Sequence, residues 1–175
     1  MNIKKELSSD QTMLLIMPGA EYNNVIIDVM KQLQGKKICY VTLNKTYDSL
    51  IDAFKKKNIN TKDIVFIDAI SKTIKKVPEK LKECYFCSSP GALTEISLVI
   101  KQFLEYKFDY IIFDSLTNLM IYQKKAPVSR FVSSMINKIK TGGPKAIFYS
   151  LSMKDQDDLI REAEMFVDKV VTVGK

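Results

Sequence analysis

Apolar residues in this chain fall into two patterns that alternate along it. The first is the short solid run: 13–17 (Met-Leu-Leu-Ile-Met), 38–43, 63–68, 108–114, 145–151 and 168–173. Such runs are too short for helices and lack the polar alternation of a half-exposed strand, so they read as strands buried on both faces of a parallel sheet. The second is the three- and four-residue repeat of an amphipathic helix. It runs through Val25, Ile26, Val29, Met30 and Leu33, and again through Leu50, Ile51 and Phe54. It returns at Leu93, Ile96, Leu98, Val99, Ile100 and Phe103, and at Phe131, Val132, Met135, Ile136 and Ile139.

The punctuation agrees with these periods. Pro18-Gly19-Ala20 turns the chain after the first strand, and Gly35 is placed to end the first helix as a C-cap. Thr46 is an N-cap for the second helix, which Lys55-Lys56-Lys57 closes at its negative end. Ser89-Pro90 reads as the N-cap and first residue of a helix reaching about residue 106. After the 108–114 strand come residues 116–122 and a basic loop at Lys124-Lys125. A helix over 127–139 then stops at Thr141-Gly142-Gly143-Pro144, and an acidic helix spans 155–166 with Asp157 and Asp158 early. Residues 71–89, basic and interrupted by Pro78, read as a poorly ordered or short-helical excursion.

Strands alternating with helices mean βαβ units, and these predict a three-layer α-β-α fold around a mostly parallel sheet. The 175 residues suit one core, and no repeat or linker interrupts them, so 1–175 is expected to form one domain. Composition narrows the chemistry. The chain contains no histidine, which removes Ser-His-Asp and Cys-His nucleophilic sites and His-containing zinc sites. Cys39, Cys84 and Cys87 are too few for a structural zinc and fit no disulfide framework; they read as small core or loop residues. No stretch resembles a membrane span or signal peptide, so the expected location is the cytoplasm. The net charge of +7 is uneven: residues 55–82 carry nine lysines against Asp63, Asp68 and Glu79. The first reading is a solvated face; the alternative is a patch for nucleic acid or an acidic partner.

The run Phe-Asp-Tyr-Ile-Ile-Phe-Asp-Ser at 108–115 puts Asp114 at the C-terminal end of a buried strand, where open α/β sheets bind ligands. Two roles suit Asp114. It can hold a magnesium, or it can cap the turn that begins at Ser115, which is the reading preferred here.

From residue 13 to residue 173 the order of parts resembles the ATPase core of the RecA superfamily, and most of all its KaiC-type branch. The stretch MLLIMPGAEYNNVIIDVM resembles the P-loop strand, loop and helix, and KKICYVTLNKTYDSLIDAFKKKN the second strand and helix. FDYIIFDSLTNLM resembles the Walker B strand. SRFVSSMINKIKTGGPKAIFYSLS and EMFVDKVVTV resemble the helix and strand before the sensor position and the closing strand. The resemblance implies that 13–17 lies beside 146–150, with 110–114 next.

The departures concern catalysis. Where the resemblance expects the two glycines, lysine and hydroxyl residue of the P-loop, this chain has Met17, Tyr22, Asn23 and Asn24. Glycines let backbone N–H groups turn around phosphate, and the lysine opposes its charge. Where KaiC-type enzymes have glutamates that activate water, this chain has Asn44 and Lys45. It is similar in this respect to archaeal domains of unknown function that keep a KaiC-like core without a P-loop. The expectation is a non-catalytic regulatory or signalling module that contacts a protein partner or its own copies, with no cofactor. The alternative is an ATP-binding protein with an atypical loop, using Gly19, Asn23, Asn24, Asp114 and Ser115, with magnesium on Asp114. A second alternative is nucleic-acid binding through residues 55–82.

Overall fold

The computed structural model describes residues 1–152 and 157–174. Seven strands form one parallel sheet: β1 (Thr12–Met17), β2 (Ile38–Thr42), β3 (Ile64–Asp68), β4 (Cys84–Phe86), β5 (Tyr110–Asp114), β6 (Lys145–Leu151) and β7 (Lys169–Thr172). Their order is β4-β3-β2-β5-β6-β1-β7, which makes β5 the central strand. The expected neighbours are in place, with Leu14 opposite Phe148 and Ile112 opposite Ile147.

Side chains alternate across each strand, so one strand feeds two cores. On one face Met13, Leu15 and Met17 of β1 pack with α1 (Ile3–Glu6), α2 (Tyr22–Gln32) and α3 (Tyr47–Lys56). On the other, Leu14 and Ile16 pack with α5 (Leu93–Leu104), α6 (Leu116–Tyr122), α7 (Lys125–Gly142) and α8 (Asp157–Glu164). A short α4 (Ser71–Ile74) follows β3. Among the described residues no helix is long and apolar enough to cross a membrane.

The 71–89 segment contains a strand that the sequence reading missed. With three residues, β4 is too short to show a period. It completes the sheet and is itself covered, because residues 79–81 fold back antiparallel. Leu81 N–H donates to Cys84 O at 2.7 Å, and Phe86 N–H donates to Glu79 O at 2.9 Å. At the far side of the sheet β7 pairs with β1 alone among the described residues. Its start is held by Asp168, which accepts from Gln11 N–H, Thr12 N–H and the Thr12 hydroxyl and pairs with Lys140 at 2.6 Å. Burial raises the proton affinity of this carboxyl, but Lys140 and the Thr12 and Gln11 donors outweigh it and bring the pKa to about 2.

Several boundaries differ from expectation for local reasons. Ser89 is not an N-cap. Its carbonyl accepts from Ala92 N–H in a turn, α5 begins at Leu93, and Glu95 reaches back to Ser88 N–H at 2.9 Å. Gly91 explains the delay: a Cβ there would meet Tyr122 at 3.3 Å, so the chain threads beside α6 before turning helical. Leu98, expected in the core, is 57% exposed. Ile96, Val99 and Ile100 already take the inner face, and a residue two positions from Ile96 points elsewhere. Lys125 opens α7 rather than sitting in a loop, which places Pro127 in the first turn, where its missing N–H costs nothing. Gly35 lies beyond the α2 cap, at φ +78°, instead of forming it. The start of the acidic helix at 155 lies outside the described residues. Thr46 caps α3 as expected, accepting from Ser49 N–H at 3.2 Å.

Parallel strands bring their C-terminal ends to one edge. There Thr42, Asp68 and Asp114 share one register row, all buried. Asp68 is fully employed: it accepts from the N–H groups of Tyr47, Ile70 and Ser71 and from the Ser71 hydroxyl, all at 2.6–2.8 Å. It thereby ties β3 to the starts of α3 and α4. Asp68→Ala leaves three N–H groups without their acceptor, two of them fully buried. The expected loss is at least about 3 kcal/mol of unfolding free energy, against almost none for the exposed Asp52→Ala. Urea denaturation of the two variants checks this.

Candidate functional site

Asp114 ends the central strand, so its carboxylate is enclosed by neighbouring strands and by the helix that follows β1. A carboxylate removed from water needs donors. Two phenols supply them. Tyr22, the first residue of α2 and 5% exposed, donates to Asp114 Oδ2 at 2.5 Å. Tyr40, from the adjacent β2, donates to the same oxygen at 2.6 Å. Among the described residues Asp114 Oδ1 has no partner, and neither has the hydroxyl of the buried Tyr149 on β6. The Asp114–Ser115 peptide is cis.

Burial raises the Asp114 carboxyl, and the Tyr22 and Tyr40 hydroxyls and the charge of Lys45 pull it part of the way back, to a pKa of about 6. Burial, reinforced by the Asp114 charge, pushes both phenols up. They therefore remain protonated donors at neutral pH. The carboxylate does not cap the turn at Ser115, as the sequence had suggested; among the described residues its hydrogen-bond partners are the two phenols. The Ser115 hydroxyl instead pairs with that of Thr117 at 3.1 Å, and Leu151 N–H donates to Thr117 Oγ1 at 3.0 Å.

The turn before α2 is built simply. Glu21 N–H donates to Pro18 O at 2.9 Å. Gly19 is exposed, and a Cβ added there would meet nothing within 4 Å. Neither a close approach nor a left-handed backbone demands glycine at this position. Asn23 and Asn24 are exposed. Asn23 Oδ1 accepts from Lys45 Nζ at 2.7 Å, and that ammonium stands 5.6 Å from the centroid of the Tyr22 ring, within cation–π range. Asn118 of α6 donates to Leu43 O and to Asn44 Oδ1, which holds the loop carrying Lys45.

Tyr22, Tyr40 and Asp114 thus converge, and Lys45 joins Asn23 above them. Gly19 meets this group only through its carbonyl, which accepts from Tyr22 N–H at 3.4 Å, and among the described residues Ser115 makes no hydrogen bond to it. Sequence reasoning missed Tyr40 and Tyr149. Their signal was available: each is a phenol inside an otherwise apolar buried strand, and a buried tyrosine hydroxyl usually finds a partner. The cysteines lie in the core as expected, and burial pushes the Cys39 and Cys87 thiols up to about 12. Among the described residues no three Cys, Asp or Glu side chains group together as metal ligands.

With this geometry established, comparison with known proteins places the architecture. A KaiC-like protein from the hyperthermophilic archaeon Pyrococcus horikoshii OT3 superimposes with a TM-score of 0.56 at 13% identity, over 93% of this chain and 70% of that one. The fold is RecA/KaiC-like. No protein-family model and no curated protein matches the sequence. At this identity the RecA/KaiC likeness concerns architecture alone.

The raised Asp114 pKa has a calculable consequence. Because the folded protein holds this proton up to about pH 6 and the unfolded chain releases it near 3.8, ionisation of Asp114 erodes stability as pH rises between those values. Asp114→Asn removes that dependence. Relative to wild type, the Asn variant gains on the order of 3 kcal/mol between pH 3.5 and 7. Denaturant titrations across this range measure it; parallel pH profiles of the two proteins would show that Asp114 does not titrate there.

Proposed function

We propose that residues 1–175 form one RecA/KaiC-like domain that does not hydrolyse nucleotide and acts through protein contacts, as a regulatory or signalling module or as a subunit of an oligomer. The observation that carries this reading is the 2.5 Å hydrogen bond from Tyr22 to Asp114. A phosphate loop must leave space between the first turn of its helix and the aspartate of the central strand. Here a buried aromatic side chain takes that space.

Other features support the same reading. Met17, Asn23 and Asn24 stand where a phosphate loop would need a glycine, a lysine and a hydroxyl, and Asn44 and Lys45 stand where a water-activating carboxylate would be. A magnesium on Asp114 does not fit this arrangement. One carboxylate oxygen is saturated by two phenols, the other is fully enclosed, and a raised pKa opposes the charge that a hard cation requires.

A second reading, nucleotide binding without turnover, draws on Lys45, a cation fixed beside Asn23 at the same mouth. Thermal shift with millimolar Mg-ATP separates the two readings. The proposed function predicts no magnesium-dependent shift in wild type and no ATP hydrolysis above background. A shift that Tyr22→Ala enlarges would establish the binding reading, and turnover abolished by Asp114→Ala would overturn the proposal outright.

A further inference from the structure

A concavity of about 520 Å³ opens between α2 and α3, sharing Asn23, Asn24 and Lys45 with the mouth above Asp114. Neither Asp114 nor Tyr22 lines it. Four lysines do: Lys31 from the last turn of α2, Lys45 from the loop after β2, Lys56 from the end of α3 and Lys57 just beyond. The sequence offered no hint of this grouping, because Lys31 and Lys45 lie outside the basic 55–82 segment. Helix packing brings them together.

Their charge is only partly compensated, by Asp28 in the lining and, for Lys45, by Asp114 nearby. Among the described residues none of the four takes part in an ion pair, whereas Lys75, Lys125, Lys140 and Lys169 all do. The one carboxylate lining the cleft, Asp28, accepts from Gln32 Nε2 at 2.8 Å. Four like charges around one hollow repel one another and raise the local potential for an anion. Ile26, Ile27 and Ala53 give the cleft an apolar wall, and its volume suits a small molecule. No aromatic side chain lines it, so it lacks the stacking platform on which single-stranded nucleic acid binds.

We propose that the α2–α3 cleft binds a small molecule carrying two or more phosphate groups, held by Lys31, Lys45, Lys56 and Lys57. Lysine serves phosphate as a mobile point charge, and several together suit a chain of phosphates better than a single one. Because α2 and α3 both lead away from the sheet edge that carries Asp114, such a ligand would cross-link two helices of the same layer.

Calorimetric titration with inorganic tripolyphosphate at low salt tests this. EDTA is present throughout, so any magnesium-dependent binding at Asp114 does not contribute. The expected result is saturable binding at one site per chain. It weakens roughly tenfold or more in Lys56→Ala/Lys57→Ala and in Lys31→Ala/Lys45→Ala, with circular dichroism confirming that both fold. It is unchanged in Lys101→Ala/Lys107→Ala, which removes the same charge elsewhere. Equal weakening in all three double variants would reduce the effect to net charge and overturn the site. So would the absence of saturable binding. Tighter binding of a short single-stranded oligonucleotide at the same lysines would overturn the ligand class.

Discussion

A negative charge set at the end of the central strand of a parallel sheet has little solvent to turn to. Everything around Asp114 answers that constraint. Tyr40 reaches it from the neighbouring strand, and Tyr22 reaches it from a helix that begins on the other side of two strands. The second bond fixes where α2 must start. Lys45 then finds its position over the Tyr22 ring and beside Asn23, and Asn118 secures the loop that carries it. Removing water strengthens the two phenol bonds, and it also makes the Asp114 oxygen and the Tyr149 hydroxyl that lack partners among the described residues more costly.

The two aspartates of this edge show how environment separates roles. Asp68 and Asp114 occupy the same register row, one strand apart from Thr42 on either side. Asp68 meets backbone N–H groups, which are abundant where helices begin, and all of its bonds are local or nearly so. Asp114 meets only side chains from distant parts of the chain. The first is a structural cap. The second is a junction whose geometry depends on packing.

The layered fold was legible because its signals are local: solid apolar runs, helical periods and turn residues need no knowledge of the partner segments. Strand neighbours within the sheet came from the resemblance and are present. What failed to show was either too short or too distant. The three residues of β4 carry no period, and Gly91 delays α5 through a contact with Tyr122 that lies 31 positions away. The Asp114 junction was half legible. Its aspartate stood out at the strand end, and Tyr22 stood where the resemblance expects a glycine. The hydrogen bond joining them, and the part taken by Tyr40, required the sheet order that brings β2 beside β5.

The sheet's two borders are not alike. At one, residues 79–81 already occupy the outer side of β4; at the other, the outer side of β7 carries no strand among the described residues. A sheet with two free borders can stack copies end to end without limit, as fibres do. With a single free border, two copies that meet there by a twofold axis use up what each has to offer. Pairing of that kind would end at two copies, because residues 79–81 cover the opposite border.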